Sequence, residues 1–138
     1  MTTVYVDYGS QTTVLSTEAN SLANGSSAVS TSEVDNSTNR YCAGELDVEI
    51  AGASAGTGYV SVYLIEGGAT GDLATYANLA NARLIGKVQM NGTTAAQKTL
   101  KFDGVSKFWK ALLYNGSGVA LAASGNTIKF TGVRYTDT

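Results

Sequence analysis

A chain of 138 residues, 43% hydrophobic and 14% charged, has the length of one domain, enough apolar surface for a core and too little charge for disorder. With no His and a single Cys it excludes His-dependent nucleophilic catalysis, the commonest metal ligand, a disulfide framework and a Cys-based structural zinc site. A net charge of −2 excludes a global positive field for nucleic acid.

In chain order the pattern is one of strands. Thr2–Val6 is a short candidate, and Thr12–Leu15 and Ala28–Ser32 are two more within the Ser-, Thr-, Asn- and Ala-rich stretch Gln11 to Asn39. In that stretch Val14, Leu15, Leu22, Val29 and Val34 anchor a polar, partly stranded layer. From Tyr41 to Ile50 the alternation sends Leu46, Val48 and Ile50 to one face and Glu45, Asp47 and Glu49 to the other. From Gly58 to Ile65 it places Val60, Val62 and Leu64 inward, with Tyr59, Ser61 and Tyr63 opposite. Residues 66–82 break the pattern: the segment opens Gly-rich and is too long for a hairpin turn, the kind of loop that tends to carry function. A short helical turn over Leu73–Leu79 fits it, and Tyr76 and Leu79 either meet a partner or fold back as a lid on the core.

Beyond the loop, Leu84 to Met90 sets Leu84, Val88 and Met90 against Ile85, Lys87 and Gln89. Asn91-Gly92 is a hairpin signal leading to Lys98–Phe102. Lys107 to Tyr114 is apolar on both faces, as a central strand covered on two sides would be. Asn126 to Tyr135 turns Ile128 and Phe130 to one face and Lys129, Thr131, Val133 and Tyr135 to the other. The sum is an all-β, single-domain antiparallel β-sandwich over residues 1–138, with about eight strands and a long loop at about 66–82.

Charge is unevenly spread. Residues 1–82 carry nine acidic side chains and one basic, whereas residues 83–138 carry eight basic and two acidic. The two arms either cancel by interleaving or leave a dipolar surface suited to association. The opening MTTVYVDYGS has neither a positive n-region nor an apolar h-region, and the longest apolar runs are short, so neither a signal peptide nor a membrane span is expected. The Asn36, Asn91 and Asn115 sequons then read as turn residues of a protein made in a cytosol.

Chemistry is mostly excluded. No catalytic residue, metal ligand or cofactor site is expected, and Gly67-Gly68 with Gly71 lacks the spacing of a phosphate loop. Glu45, Asp47 and Glu49 read best as the wet face of a strand, or as cross-strand partners of Lys107, Lys110 or Lys129. An acidic interface stripe or a carboxylate site is the lesser reading. Cys42 reads as a small buried hydrophobe, and Trp109 as core rather than a stacking platform. Tyr5 and Tyr8 are the better contact candidates, since a terminal strand is ordered mainly when something holds it.

Several strings together resemble small virion proteins of tailed bacteriophages: MTTVYVDYGS at 1–10, VDNSTN at 34–39, GYVSVY at 58–63, GATG at 68–71 and NARLIG at 81–86. Within that group the chain is similar to the jelly-roll capsid cement, or decoration, proteins. The resemblance implies a jelly-roll-like sandwich on the capsid exterior, made in the host cytoplasm. It implies the major capsid protein as partner, a homo-oligomer (dimer or trimer), and no enzyme activity, cofactor, nucleic acid or membrane. Candidate capsid or inter-subunit contacts are Tyr5, Tyr8, Tyr76, Leu79 and Arg83. The alternative is a tail-fibre or receptor-binding jelly roll that recognises surface carbohydrate through tyrosines or Trp109.

Overall fold

The structure, a computed structural model, describes residues 3–52, 56–70, 73 and 78–137. Its strands are β1 (Val4–Tyr8), β2 (Thr12–Leu15), β3 (Ser27–Val29), β4 (Val34–Asp35), β5 (Ala43–Ile50) and β6 (Tyr59–Gly67). They continue with β7 (Arg83–Gln89), β8 (Ala96–Asp103), β9 (Phe108–Gly116) and β10 (Thr127–Asp137). Two 3-10 turns cover Thr17–Ala19 and Leu79–Asn81.

These strands build two antiparallel sheets. In the first, β1 and β2 lie along β10, which is followed by β5 and β8. In the second, β3 and β4 lie along β9, which is followed by β6 and β7. With β1/β2 and β3/β4 each counted as one broken strand, the sheet orders are 1-8-3-6 and 2-7-4-5, which is a jelly roll. Each of these pairings joins a strand before residue 82 to one after it. The chain is therefore one long hairpin, its tip in the 68–82 connection, rolled into two layers.

The core forms where the alternating faces meet. Leu46, Val48 and Ile50 of β5, Val60, Val62 and Leu64 of β6, Trp109, Ala111 and Leu113 of β9, and Ile128 and Phe130 of β10 are all buried. Trp109 and Phe130 meet edge to face at 4.9 Å between ring centres, so Trp109 is core. Gly44 makes room for this aromatic cluster, because a Cβ there would stand 2.5 Å from Phe130 and 2.8 Å from Phe102. A second cluster lies on the outer side of β6 and β9, where Ile65, Phe108 and Leu112 close around Leu73 of the 66–82 connection. This explains why β9 is apolar on both faces.

Three expectations need correcting, and one strand was missed. Asn91-Gly92 does turn the chain, with an Asn91–Thr94 bridge and Gly92 at φ +58°. However, β7 and β8 do not pair as a hairpin: β7 bonds to β6 and β8 to β5, so the turn passes between sheets. Leu84 points outward rather than in. The β6–β7 register shifts between Val62 and Tyr63, and the extra residue, Ile85, packs on the core while Leu84 is 49% exposed. Cys42 is exposed, because it precedes β5 at the sandwich rim, where its N–H bonds to the Val133 carbonyl. Strand β4, only two residues long, had no periodic signal of its own.

Candidate functional site

Large apolar side chains exposed to solvent gather at the two opposite edges of the sandwich. The first edge is β1. Val4, Tyr5, Val6 and Tyr8, with Tyr135 on the adjoining end of β10, are each between 52% and 64% exposed. Among the described residues β1 pairs with β10 alone. Its register sets Val6 against Tyr135 and Tyr8 against Val133. Since Ile128 and Phe130 face the core, Val133 and Tyr135 of β10 share the outer face with Val4, Val6 and Tyr8 of β1 in a mainly apolar stripe, which ends at Asp137 opposite Val4.

Backbone direction follows from one hydrogen bond. Gly9 donates its N–H to the Gly132 carbonyl at 2.9 Å. Bonded pairs alternate along an antiparallel ladder, so Asp7–Arg134 and Tyr5–Thr136 are bonded as well. The N–H and C=O groups of Val4, Val6 and Tyr8 therefore point away from the sheet. On the opposite face Arg134 Nε donates to Asp7 Oδ2 at 2.6 Å, and its guanidinium stands 5.9 Å from the Tyr41 ring centre. This edge is charge-compensated and carries no Lys, two features that bear on what can dock there.

The second edge carries Leu84 of β7 and Leu79, which is 39% exposed; one strand in, on the outer face, Tyr59 at the start of β6 has its ring 5.9 Å from Lys87 Nζ. Lys98 Nζ of β8 bonds the Lys87 carbonyl of β7, which closes this side of the sandwich opposite β1. Arg83 sits here as a latch. Its Nε and Nη2 donate to Glu66 at 3.2 and 2.7 Å, and Nη1 and Nη2 donate to the carbonyls of Asp103 (3.0 Å) and Gly104 (2.7 Å). The guanidinium also lies 5.8 Å from the Phe102 ring centre. Its donors are thus used within the chain, where they hold the start of β7. Tyr76 lies outside the described residues. Val4, Val6 and Leu84 escaped the sequence reading because only strand pairing and the bulge decide which face they take, whereas alternation had already placed Tyr135 opposite Ile128 and Phe130.

Two of the three acidic residues in the β5 row, Glu45 and Asp47, have side-chain partners. Asp47 accepts from Gln11 Nε2 at 2.6 Å and from the Thr99 hydroxyl at 2.5 Å. Glu45 pairs with Lys101 at 3.7 Å, not with Lys107, Lys110 or Lys129, although Lys129 does stand opposite Asp47. Among the described residues no group of three His, Cys, Asp or Glu is spaced to hold a metal ion. The shallow cleft of about 200 Å³ beside Glu45 is lined by Gly44, Lys101, Phe102, Asp103 and Val133. Asn36 and Asn115 prove to be buried turn anchors. Asn115 Nδ2 donates to the Leu22 and Val119 carbonyls, while its Oδ1 accepts the Ser117 N–H and hydroxyl. Among the described residues no helix is long and apolar enough to cross a membrane.

No family model and no curated protein matches the chain. Among solved structures it is similar to a carbohydrate-binding module, CBM36, in complex with calcium and xylotriose. The identity there is 14% and the TM-score 0.46, over 82% of this chain and 76% of that one. It is also similar to an exo-β-1,3-galactanase from Phanerochaete chrysosporium with galactose, at 15% identity and TM-score 0.43. That match covers 97% of this chain and spans only 29% of that protein's length.

Proposed function

We propose that this chain is a structural virion protein of a tailed phage, a capsid cement or decoration protein seated on the outside of the head lattice. Its partner is the major capsid protein, with sister copies as neighbours in a dimer or trimer, and it is made in the host cytoplasm before assembly. One observation supports this reading above others: a well-packed jelly roll that concentrates its exposed Val, Leu and Tyr side chains at two opposite edges. Such a body can touch two neighbours at once. Bound only to the assembled lattice, many weak contacts add to lattice stability by mass action. The contacts assigned are Tyr5 and Tyr8 on β1, Leu79 and Tyr76 in the connection, and Arg83 as the group that fixes the β7 end beside them.

The test is addition of purified protein to heads of the encoding phage made without it, followed by counting bound copies and heating the heads. Binding in proportion to the capsid lattice, with a raised disruption temperature, supports the proposal. Tyr8→Ala and Leu79→Ala should lower occupancy while leaving the isolated fold intact. Unchanged occupancy in both would refute the placement.

A second reading rests on a different observation. Tyr59 and Tyr63 of β6 and Tyr114 of β9 share the outer face of the second sheet, an aromatic surface of the sort on which sugar rings stack. It would make the chain a tail-fibre or receptor-binding module, without Trp109, which is fully buried. Salt-insensitive binding to a glycan array that Tyr59→Ala abolishes would favour it over the capsid.

A further inference from the structure

We infer that the β1 edge is a self-recognition surface, through which two copies join by antiparallel pairing of β1 with β1 about a two-fold axis at Val6. The inference stands apart from the virion reading, since it uses only the geometry of this edge. The outward backbone groups belong to Val4, Val6 and Tyr8, as the Gly9–Gly132 bond requires. A second β1 in antiparallel register, with Val6 opposite Val6 and Val4 opposite Tyr8, engages all three residues of each copy. It forms six N–H to C=O bonds and leaves none of those groups over. A two-fold centred on Val4 or Tyr8 would engage fewer.

Side chains and charge agree with that register. Val4, Val6 and Tyr8 continue the outer stripe across the axis, so the apolar rows of the two copies, with Tyr135 and Val133 behind them, merge into one patch. On the other face Tyr5 comes opposite Asp7 of the second copy, placing a phenol donor beside a carboxylate already compensated by its own Arg134. No like charges meet directly. The edge lacks the Lys, Pro or bulge with which exposed strands usually block such pairing. Two five-residue strands make a small, isologous interface, so association is weak in solution and strengthens wherever copies are held close together.

The experiment is sedimentation velocity of the full chain over a concentration series. The expected result is a shift from monomer towards dimer as concentration rises through about 100 µM. Val6→Pro deletes an N–H that points away from β10, so the β1–β10 ladder stays bonded and the dimer is lost. Because that variant also strains the strand, a second measurement uses the Cys42→Ser background. A bonded antiparallel pair sets its Cα atoms about 5.5 Å apart, within disulfide reach, so Val6→Cys should oxidise to a covalent dimer. Val4→Cys, equally exposed but opposite Tyr8, should not. A concentration-independent monomer up to about 1 mM would overturn the inference. So would a dimer that survives Val6→Pro, or equal cross-linking of Val4→Cys and Val6→Cys.

Discussion

Glu18 lies in the Thr17–Ala19 turn and ties it to the loop after β3. Partial burial works to raise its pKa, but the backbone N–H groups of Ser16 and Thr31 and the Thr31 hydroxyl outweigh it and hold the carboxyl down at about 2 instead of 4.5. A carboxyl depressed on folding stabilises the protein fully above its unfolded pKa. That contribution is lost as pH falls from about 4.5 towards 2. Glu18→Gln should therefore flatten the acid limb of a urea-midpoint versus pH curve in that window. At neutral pH it should cost about 1 kcal/mol, less than full linkage implies because the carboxylate is largely solvated. Arg83 makes a different kind of contact, a planar fork shared between Glu66 and two carbonyls. Arg83→Lys keeps the charge and loses the fork, so thermal unfolding should show a loss of about 1–2 kcal/mol. Neither role was legible in the chain, because each depends on groups brought together from distant positions.

At the scale of elements, the strands with a clear pattern are the ones the chain announces: β5, β6 and β10 by alternation, and β9 by an apolar run on both faces, fall within a few residues of their expected limits. Period-two patterning is a local property, and burial of one face enforces it. What alternation could not reveal was the bulge in β7, because one extra residue inverts the faces on either side of it. The 66–82 connection is a related case. Its length marked it as unusual, but only packing shows that Leu73, rather than Leu79, is the residue that folds back, fully buried against Ile65, Phe108 and Leu112. Leu73→Ala should cost about 2–4 kcal/mol in chemical denaturation. Amide exchange at Leu79–Asn81 should quicken in the same variant, while β5 and β10 keep their protection.

Over the whole molecule the charge asymmetry finds its explanation. Each strand pairing joins the acidic arm, residues 1–82, to the basic arm, residues 83–138. The three ion pairs among the described residues, Asp7–Arg134, Glu45–Lys101 and Glu66–Arg83, all cross that boundary too. The arms therefore cancel within one fold, and their attraction favours the hairpin closing on itself before strands find wrong partners. A chain cut after Gly68 should give two fragments that are each unfolded alone, since neither holds a complete pairing. Mixed, they should recover the β-sheet circular dichroism of the intact protein, at a rate that falls as salt is raised.

The amino-acid order by itself determined the class of architecture, the faces of the regular strands and the lack of His-based chemistry, because residue type and period-two spacing act over a few neighbouring positions. Tertiary structure alone decided that β7 and β8 part company at Asn91-Gly92, that Leu84 turns outward, that Cys42 meets solvent and that Val4, Val6 and Tyr8 line an edge unpaired among the described residues. Each of these depends on which distant strand lies alongside, and β1 meets its partner among the described residues more than a hundred positions further along the chain, at Val133–Asp137.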